Sequence, residues 1–310
     1  MKSGVTMAAA SMEAHRRALF GLCYRMTGSA ADAEDLVQET FRKALEHPPP
    51  DTERSIRPWL FRVATNLGID ALRRRQRERY LGPWLPEPID TERVVADLEP
   101  GPDARYDLVE SATSAFLLAL EALDPRQRAV LLLRDVMGLT GPETADALGT
   151  TAGNVRVILH RARERLEAYD RTRQPITPEL RDRTARALRE LMLRMGVGDF
   201  EGVARLLADD ATSIHDGGGE FVAVVRVLRG PQDILRTYSE IVRFHDTWPL
   251  WVEERELNGL PALLVRYPDL GGRYARNVVF WVELSPTGQV AGLRGVVASA
   301  KLGSLRFRER

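Results

Sequence analysis

The stretch GLTGPETADALGTTAGNVRVILHRARERL, residues 138–166, decides how the middle of this chain folds. Pro142 suits a first helical turn, since its missing N–H would have no partner there and its φ is already helical. Small Ala145 fits a helix crossing, and Gly149 supplies the left-handed residue that ends a helix. Thr150 or Thr151 then caps a second helix running to about Ala168. Two short helices joined by a small-residue turn form a helix-turn-helix, whose second helix enters the DNA major groove. On that helix Val155, Ile158, Leu159, Ala162 and Leu166 recur at helical spacing as the buried stripe, while Asn154, Arg156, Val157, His160, Arg161 and Arg163 face outward. Arginine presents paired donors that match guanine's acceptors or grip phosphate, which singles out Arg156 and Arg161. Repressors and activators share this unit, so it does not alone choose among DNA-binding functions.

Working outward, residues 12–80 read as helical throughout. Leu19, Leu22, Cys23 and Met26 form one apolar stripe; Thr27-Gly28-Ser29 breaks it. ADAEDLVQETFRKALEH (31–47) follows, with Ala33, Leu36, Val37, Phe41, Ala44 and Leu45 as its core side, stopped by Pro48-Pro49-Pro50. In PWLFRVATNLGIDALRRRQRER (58–79), Trp59, Val63, Leu67 and Ala71 are expected to face inward. Arg62, Asn66, Asp70, Arg73 and Arg77 form a second stripe, joined by Arg74, suited to phosphate grip with one base-edge contact. Asn66 is placed to hydrogen-bond a base lifted from the stack.

Net charge is zero over 310 residues, but it is unevenly spread: residues 12–80 carry +3 and residues 81–110 carry −6. A phosphate backbone senses the local value. The acidic segment is rich in proline and reads as an extended linker over 81–106. Within GPWLPEP (82–88), Trp84 and Leu85 are large apolar groups that need a surface to cover them, so the linker is expected to dock elsewhere on the chain when free. The lone Cys23 excludes an internal disulfide or a cysteine-rich zinc site, and no stretch approaches a membrane helix. A reducing cytoplasm fits, with no cofactor or metal called for. Residues 1–11 read as a disordered lead.

Pro175 and Pro178 mark a change of character. Helices near 179–195, 199–208 and 230–244 accompany short β-branched runs: ATSIHD, EFVAVVRV, WPLWVEEREL, PALLVRYP, ARNVVFWVEL and QVAGLRGVV. Residues 176–310 therefore read as an α+β domain with helices on one face of a mostly antiparallel sheet. Gly217-Gly218-Gly219 permits positive φ and close approach by a neighbouring segment. His215 beside Asp216 resembles an acid–base pair, yet adjacent strand residues point to opposite faces.

DAEDLVQETFRKAL (32–45) followed by RPWLFRVATNLGIDALRRR (57–75) resembles region 2 of the extracytoplasmic-function sigma factors. LDPRQRAVLLLRDVMGLTGPETADALGTTAGNVRVILHRARERL (123–166) resembles their region 4. The resemblance covers about residues 12–168, with region 4 set within a domain at 107–173. It implies docking of Asp35, Gln38 and Glu39 on the β′ clamp helices of bacterial core RNA polymerase. It also implies a flipped −10 base at Asn66, and −35 contacts from Arg134, Arg156, Val157, His160 and Arg161. The last domain is similar to the SnoaL-like, NTF2-type cone of one sigma subgroup, through WLPEP, HDGGGE (215–220) and terminal Lys301-Leu302. That likeness implies an interdomain regulatory contact made by Trp84, Leu85, Pro86, Asp216, Gly217, Gly218, Gly219, Lys301 and Leu302. The subgroup's glycine motif ends in a basic residue, where this chain has Glu220. Promoter-specific transcription initiation, regulated in cis by a cone that has room for a small ligand, is the expected function of a chain monomeric when free. Two other readings stand beside it: a polymerase-independent helix-turn-helix regulator, and a cyclase or isomerase fused to a DNA-binding module.

Overall fold

A computed structural model describes residues 12–47, 56–78, 80–95, 104–221, 223–244, 248–272 and 274–308. The proline stop at 48–50, the lead at 1–11 and part of the linker lie outside them. The chain divides into two compact units, Met1–Arg79 with Glu92–Arg171, and Tyr80–Thr91 with Thr172–Arg310. These units are drawn differently from the expected modules at 12–80, 107–173 and 176–310. The two helical modules lie in one unit, and the linker is shared: its first eleven residues (81–91), with Tyr80 before them, belong to the C-terminal unit. Among the described residues no helix is long and apolar enough to cross a membrane.

The helical unit begins with α1 (Arg16–Thr27), α2 (Ala30–Glu46) and α3 (Arg57–Arg75). Leu19, Leu22, Cys23 and Met26 are fully buried, and burial pushes the Cys23 thiol up to about 12. Ala33, Leu36, Val37 and Ala44 are buried on α2, but Phe41 is only half-buried and Leu45 is 56% exposed. On α3 the buried stripe is Leu60, Phe61, Ala64, Ile69 and Leu72; Trp59, Val63, Leu67 and Ala71 flank it, half-buried. Gly68 lies against Met26, where a Cβ would come within 3.3 Å of that side chain.

Then come α4 (Ser114–Ala119), α5 (Pro125–Leu131), α6 (Gly141–Leu148), α7 (Ala152–Arg165) and α8 (Glu167–Thr172). Their starts follow local chemistry. Asp124 with Gln127, and Thr140 with Glu143, form reciprocal capping boxes, and Thr151 caps α7 through Asn154 N–H. Gly149 ends α6 with φ 58°.

Two buried arginines lock this unit. Arg25, fully buried, donates to Ser111 Oγ and to the carbonyls of Gly21, Val94 and Leu108; burial lowers its pKa to about 10. Arg128 donates to the carbonyls of Met26 and Leu120 and to Glu121, which also pairs with Arg75 on α3 at 2.6 Å. Taking either guanidinium out of water without such partners would cost several kcal/mol. These bonds hold the first three helices against the 108–128 segment within one compact unit.

The C-terminal unit contains α9 (Pro178–Gly196) and α10 (Phe200–Leu206), then β1 (Leu207–Asp216), β2 (Leu228–Arg229) and α11 (Gly230–Phe244). Strands β3 (Trp251–Leu257), β4 (Leu260–Arg266), β5 (Asn277–Leu284) and β6 (Val290–Val296) follow, then the short α12 (Ser299–Leu302). Sheet order is β2-β1-β6-β5-β4-β3, antiparallel except for the parallel β1–β6 pair. Leu188, Leu191 and Met195 of α9 and Ile234 of α11 pack on Leu263, Val265, Val282 and Leu293 of the sheet. This is the expected α+β cone, with helices on one face of a mostly antiparallel sheet. One expected strand does not form: no described residue of EFVAVVRV (220–227) lies in a strand, and β2 starts only at Leu228. Backbone N–H groups of Glu220 and Phe221 fold back onto the Gly217 carbonyl, and the chain leaves the sheet there.

Candidate promoter-reading surfaces and the linker clasp

Helix α7 buries Val155, Leu159 and Ala162, and Leu166 beyond its end, with Ile158 half-buried. Asn154, Arg156, Val157, His160 and Arg161 are exposed, Val157 by 49%. Arg163, expected on the outward face, instead turns in and makes a two-pronged ion pair with buried Asp135, at 2.8 and 2.6 Å. That pair fixes the recognition helix on the turn Leu132–Val136 that precedes α6. The sequence carried no signal for Asp135, since one acid among many gives no periodic cue. Arg134 is half-buried and donates to the Leu139 carbonyl just ahead of the helix-turn-helix.

On α3, Arg62, Asn66, Asp70, Arg73, Arg74 and Arg77 are exposed. Arg73 pairs with Asp70 at 3.3 Å, one helical turn away. The Asn66 amide is engaged: Nδ2 donates to the Arg62 carbonyl at 2.9 Å and to the Ala147 carbonyl of α6 at 3.3 Å. The residue expected to hold a flipped base thus touches the helix-turn-helix. Asp35 and Gln38 are exposed on α2, and Glu39 is half-buried and paired with Arg42 at 2.6 Å, which holds its carboxyl below the usual range.

In the C-terminal unit, one buried carboxylate gathers the linker. Asp216, at the end of β1, is 0% exposed. Its Oδ1 accepts from the Tyr80 hydroxyl at 2.5 Å and from Gly218 N–H at 3.0 Å. Its Oδ2 accepts from Leu85 N–H at 2.8 Å and from Lys301 Nζ at 2.7 Å. Lys301 also donates to the Leu85 carbonyl, and its ammonium lies 4.6 Å from the Trp84 ring centre and 4.9 Å from that of Tyr80. Leu85 is fully buried, Pro86 and Leu302 are buried, and Trp84 is half-buried. Gly219, at φ 74°, lies against Leu81: a Cβ there would stand 2.8 Å from Leu81 Cδ1. Gly218 abuts Ala298 in the same way, and a Cβ on Gly217 would meet that of Ala223 at 2.8 Å. Glu220 caps α12 by accepting from Ser299 N–H and Oγ. The far end is pinned too: Ile89 N–H donates to Asn258 Oδ1, and Gly259 N–H to Thr91 Oγ1. Tyr80 was missed in the sequence because an exposed-looking tyrosine beside an arginine run resembles a helix end.

His215 turns away from Asp216, into the cone, as alternation requires. Its Nε2 lies 2.6 Å from the Tyr238 hydroxyl and 3.1 Å from Ser213 Oγ, a cluster the sequence did not reveal because α11 and β1 meet only in the fold. Burial lowers its pKa to about 4, so the ring is neutral.

The sigma-70 region 2 model matches residues 12–78, and the sigma-70 region 4 model matches residues 113–166. The extracytoplasmic-function RNA polymerase sigma factor SigJ of Mycobacterium tuberculosis is 36% identical over 242 residues, spanning 76% of this chain and 74% of that one. SigG of the same organism is 43% identical over 198 residues, spanning 57% of this chain and 54% of its own. The crystal structure of SigJ aligns over 97% of this chain and all of that one, with a TM-score of 0.70 at 27% identity. With region 2, region 4 and a cone in this order, the chain belongs to the extracytoplasmic-function sigma factors, which direct bacterial RNA polymerase to promoters.

Proposed function

We propose that this sigma factor is regulated in cis by its cone, which withholds the linker from the polymerase until the Asp216 clasp is released. The observation that carries this is the shared use of one buried carboxylate by Tyr80 and Leu85 of the linker and Lys301 near the C-terminus. A linker held this way cannot also lie in a polymerase channel. The modules 12–80, 107–173 and 176–310 then act as −10 reader, −35 reader and regulator.

Initiation also requires a rearrangement inside the helical unit. Asn66 must leave the Ala147 carbonyl to meet a −10 base, while Arg156, Val157, His160 and Arg161 read the −35 element. Asp35, Gln38 and Glu39 dock on the β′ clamp helices, and the free protein acts as a cytoplasmic monomer. The Ser213–His215–Tyr238 cluster contains no carboxylate to drive proton transfer, which favours binding over catalysis in the cone. Run-off transcription with core polymerase tests the regulatory reading: Asp216→Asn should change promoter output severalfold, in either direction, while Glu220→Gln should not. Equal output from Asp216→Asn and the parent chain would refute it.

A further inference from the structure

Arg105 and Tyr106, the last two residues of the linker, grip the helix-turn-helix on both sides of its recognition helix. Ahead of α6, the turn Leu132–Val136 ends a helix, and a helix end leaves carbonyls that need partners from outside. The Asp135 carbonyl lies in that last turn, and it accepts from Arg105 N–H at 2.8 Å and from Tyr106 N–H at 2.9 Å. The carboxylate of the same residue, 1% exposed, holds Arg163 of α7 through its two bonds.

Beyond α7, the same two linker residues act again. Arg105 pairs with one oxygen of Asp170 on α8 at 2.6 Å, and the Tyr106 hydroxyl donates to the other at 2.9 Å. The Tyr106 ring is fully buried and meets Phe116 edge-on, with ring centres 4.8 Å apart. Phe116 in turn meets Tyr169 of α8 at 5.5 Å. Helix α7 is thus braced through Asp135, which precedes it in the chain, and through Asp170, which follows it.

A brace at these points controls the tilt of the helix. Arg156 precedes Arg163 by seven residues, which is about 10 Å along the axis at about 1.5 Å per residue. A tilt of about 10° about the Arg163 anchor moves the backbone at Arg156 by about 2 Å, whereas a hydrogen bond to a base edge tolerates only a few tenths of an ångström. Loss of the brace would therefore be felt at the DNA without either linker residue touching it.

We infer that Arg105 and Tyr106 are positioning residues for −35 recognition, holding α7 through Asp135 and Asp170 at the tilt that its outward side chains need. The inference rests on the −35 reading proposed above for Arg156, Val157, His160 and Arg161. It gives the end of the linker a task separate from the clasp at its start.

Transcription by the full chain with core polymerase tests this on a promoter library randomised across both elements. Discrimination is the yield from the −35 sequences that the parent chain prefers, divided by the yield from the rest. A second template, premelted at −10 and without −35 DNA, reports activity that does not depend on α7. Asp170→Ala removes both side-chain grips on α8; it should cut discrimination about three- to tenfold and leave the premelted yield within about twofold of the parent. Tyr106→Phe deletes one hydroxyl and keeps the packed ring; it should cut discrimination about twofold, and it carries the test if Asp170→Ala fails to fold. A residue that only stabilised the fold would lower both yields together and leave discrimination unchanged. Parental discrimination in the folded variant, or equal losses on the two templates, overturns the brace. Arg161→Ala in parallel separates the causes: a loss of discrimination there, beside parental discrimination in Asp170→Ala, sinks the brace alone, while none in either sinks the −35 reading with it.

Discussion

Lys301→Met removes the cation of the clasp while keeping its aliphatic length. In the parent structure Asp216 Oδ2 has two donors, the Lys301 ammonium at 2.7 Å and Leu85 N–H at 2.8 Å, and Oδ1 keeps Tyr80 and Gly218. Losing one charge-assisted bond to a buried carboxylate costs about 1.5–3 kcal/mol. The ammonium also sits over two aromatic rings and bonds the Leu85 carbonyl, together worth about 1 kcal/mol more. Three neutral donors remain on Asp216, which places the total near the lower end of the 3–5 kcal/mol range for breaking a buried pair, about 3 kcal/mol. That corresponds to a roughly hundredfold rise in the open population of the linker. Native-state hydrogen exchange reads it directly: the Leu85 and Ile89 amides should exchange about a hundredfold faster, while amides in the centre of β5 slow or quicken far less. A Leu85 rate within about threefold of the parent would refute the clasp as an energetic device, whatever its geometry.

Four other outcomes are open to measurement. Arg161→Ala should weaken −35 binding by about 1–3 kcal/mol in a gel-shift titration, if it contacts a base; a loss that is uniform across promoter sequences would assign it to phosphate instead. Asn66→Ala should slow promoter melting, followed by permanganate footprinting, more than initial binding, and equal effects on both steps would remove its base-holding role. Asp135→Ala removes the buried partner of Arg163, whose own side chain is 39% exposed and free to turn to water, and should destabilise the helical unit by about 1–2 kcal/mol in urea unfolding, with Arg156 and Arg161 untouched. His215 titrates at about 4 in the fold, below its ordinary value, so its stabilising effect is full above pH 6.5 and fades as pH falls toward 4; His215→Phe should flatten that loss in thermal melts.

Much of this architecture could be read from residues, and the failures have physical causes. Caps were legible because they are local: Thr151, Gly149 and the Thr140–Glu143 box act within one helical turn. The inward stripe of α3 came out rotated by one residue, since the helix is apolar on two adjacent sides and only its neighbours select the buried one. The run 220–227 has strand composition, but the folding-back of Glu220 and Phe221 onto Gly217 takes it off the sheet edge. Asp216 and the glycines were visible as a motif; that Tyr80, Leu85 and Lys301 converge on one carboxylate required residues 136, 131 and 85 positions apart to meet. Buried Arg25 and Arg128 were not singled out in the sequence, which cannot tell an arginine that grips DNA from one that grips carbonyls.

On the proposed regulation in cis, the division of the linker lets a clasp of a few kcal/mol suffice for control. Tyr80–Thr91 belongs to the C-terminal unit, while the residues on either side of it belong to the helical unit. Twelve residues can span about 40 Å when extended, so while both ends are pinned, at Asp216 and at Asn258, that reach is unavailable to any other partner. Competition between docked and extended states is then intramolecular, and its equilibrium depends on the clasp energy rather than on the concentration of a separate inhibitor. About 3 kcal/mol holds the extended state below one per cent, yet a polymerase surface or a change at the cone that supplies a similar increment reverses the balance. A much stronger clasp would leave the factor unable to respond, and a much weaker one would leave nothing to regulate.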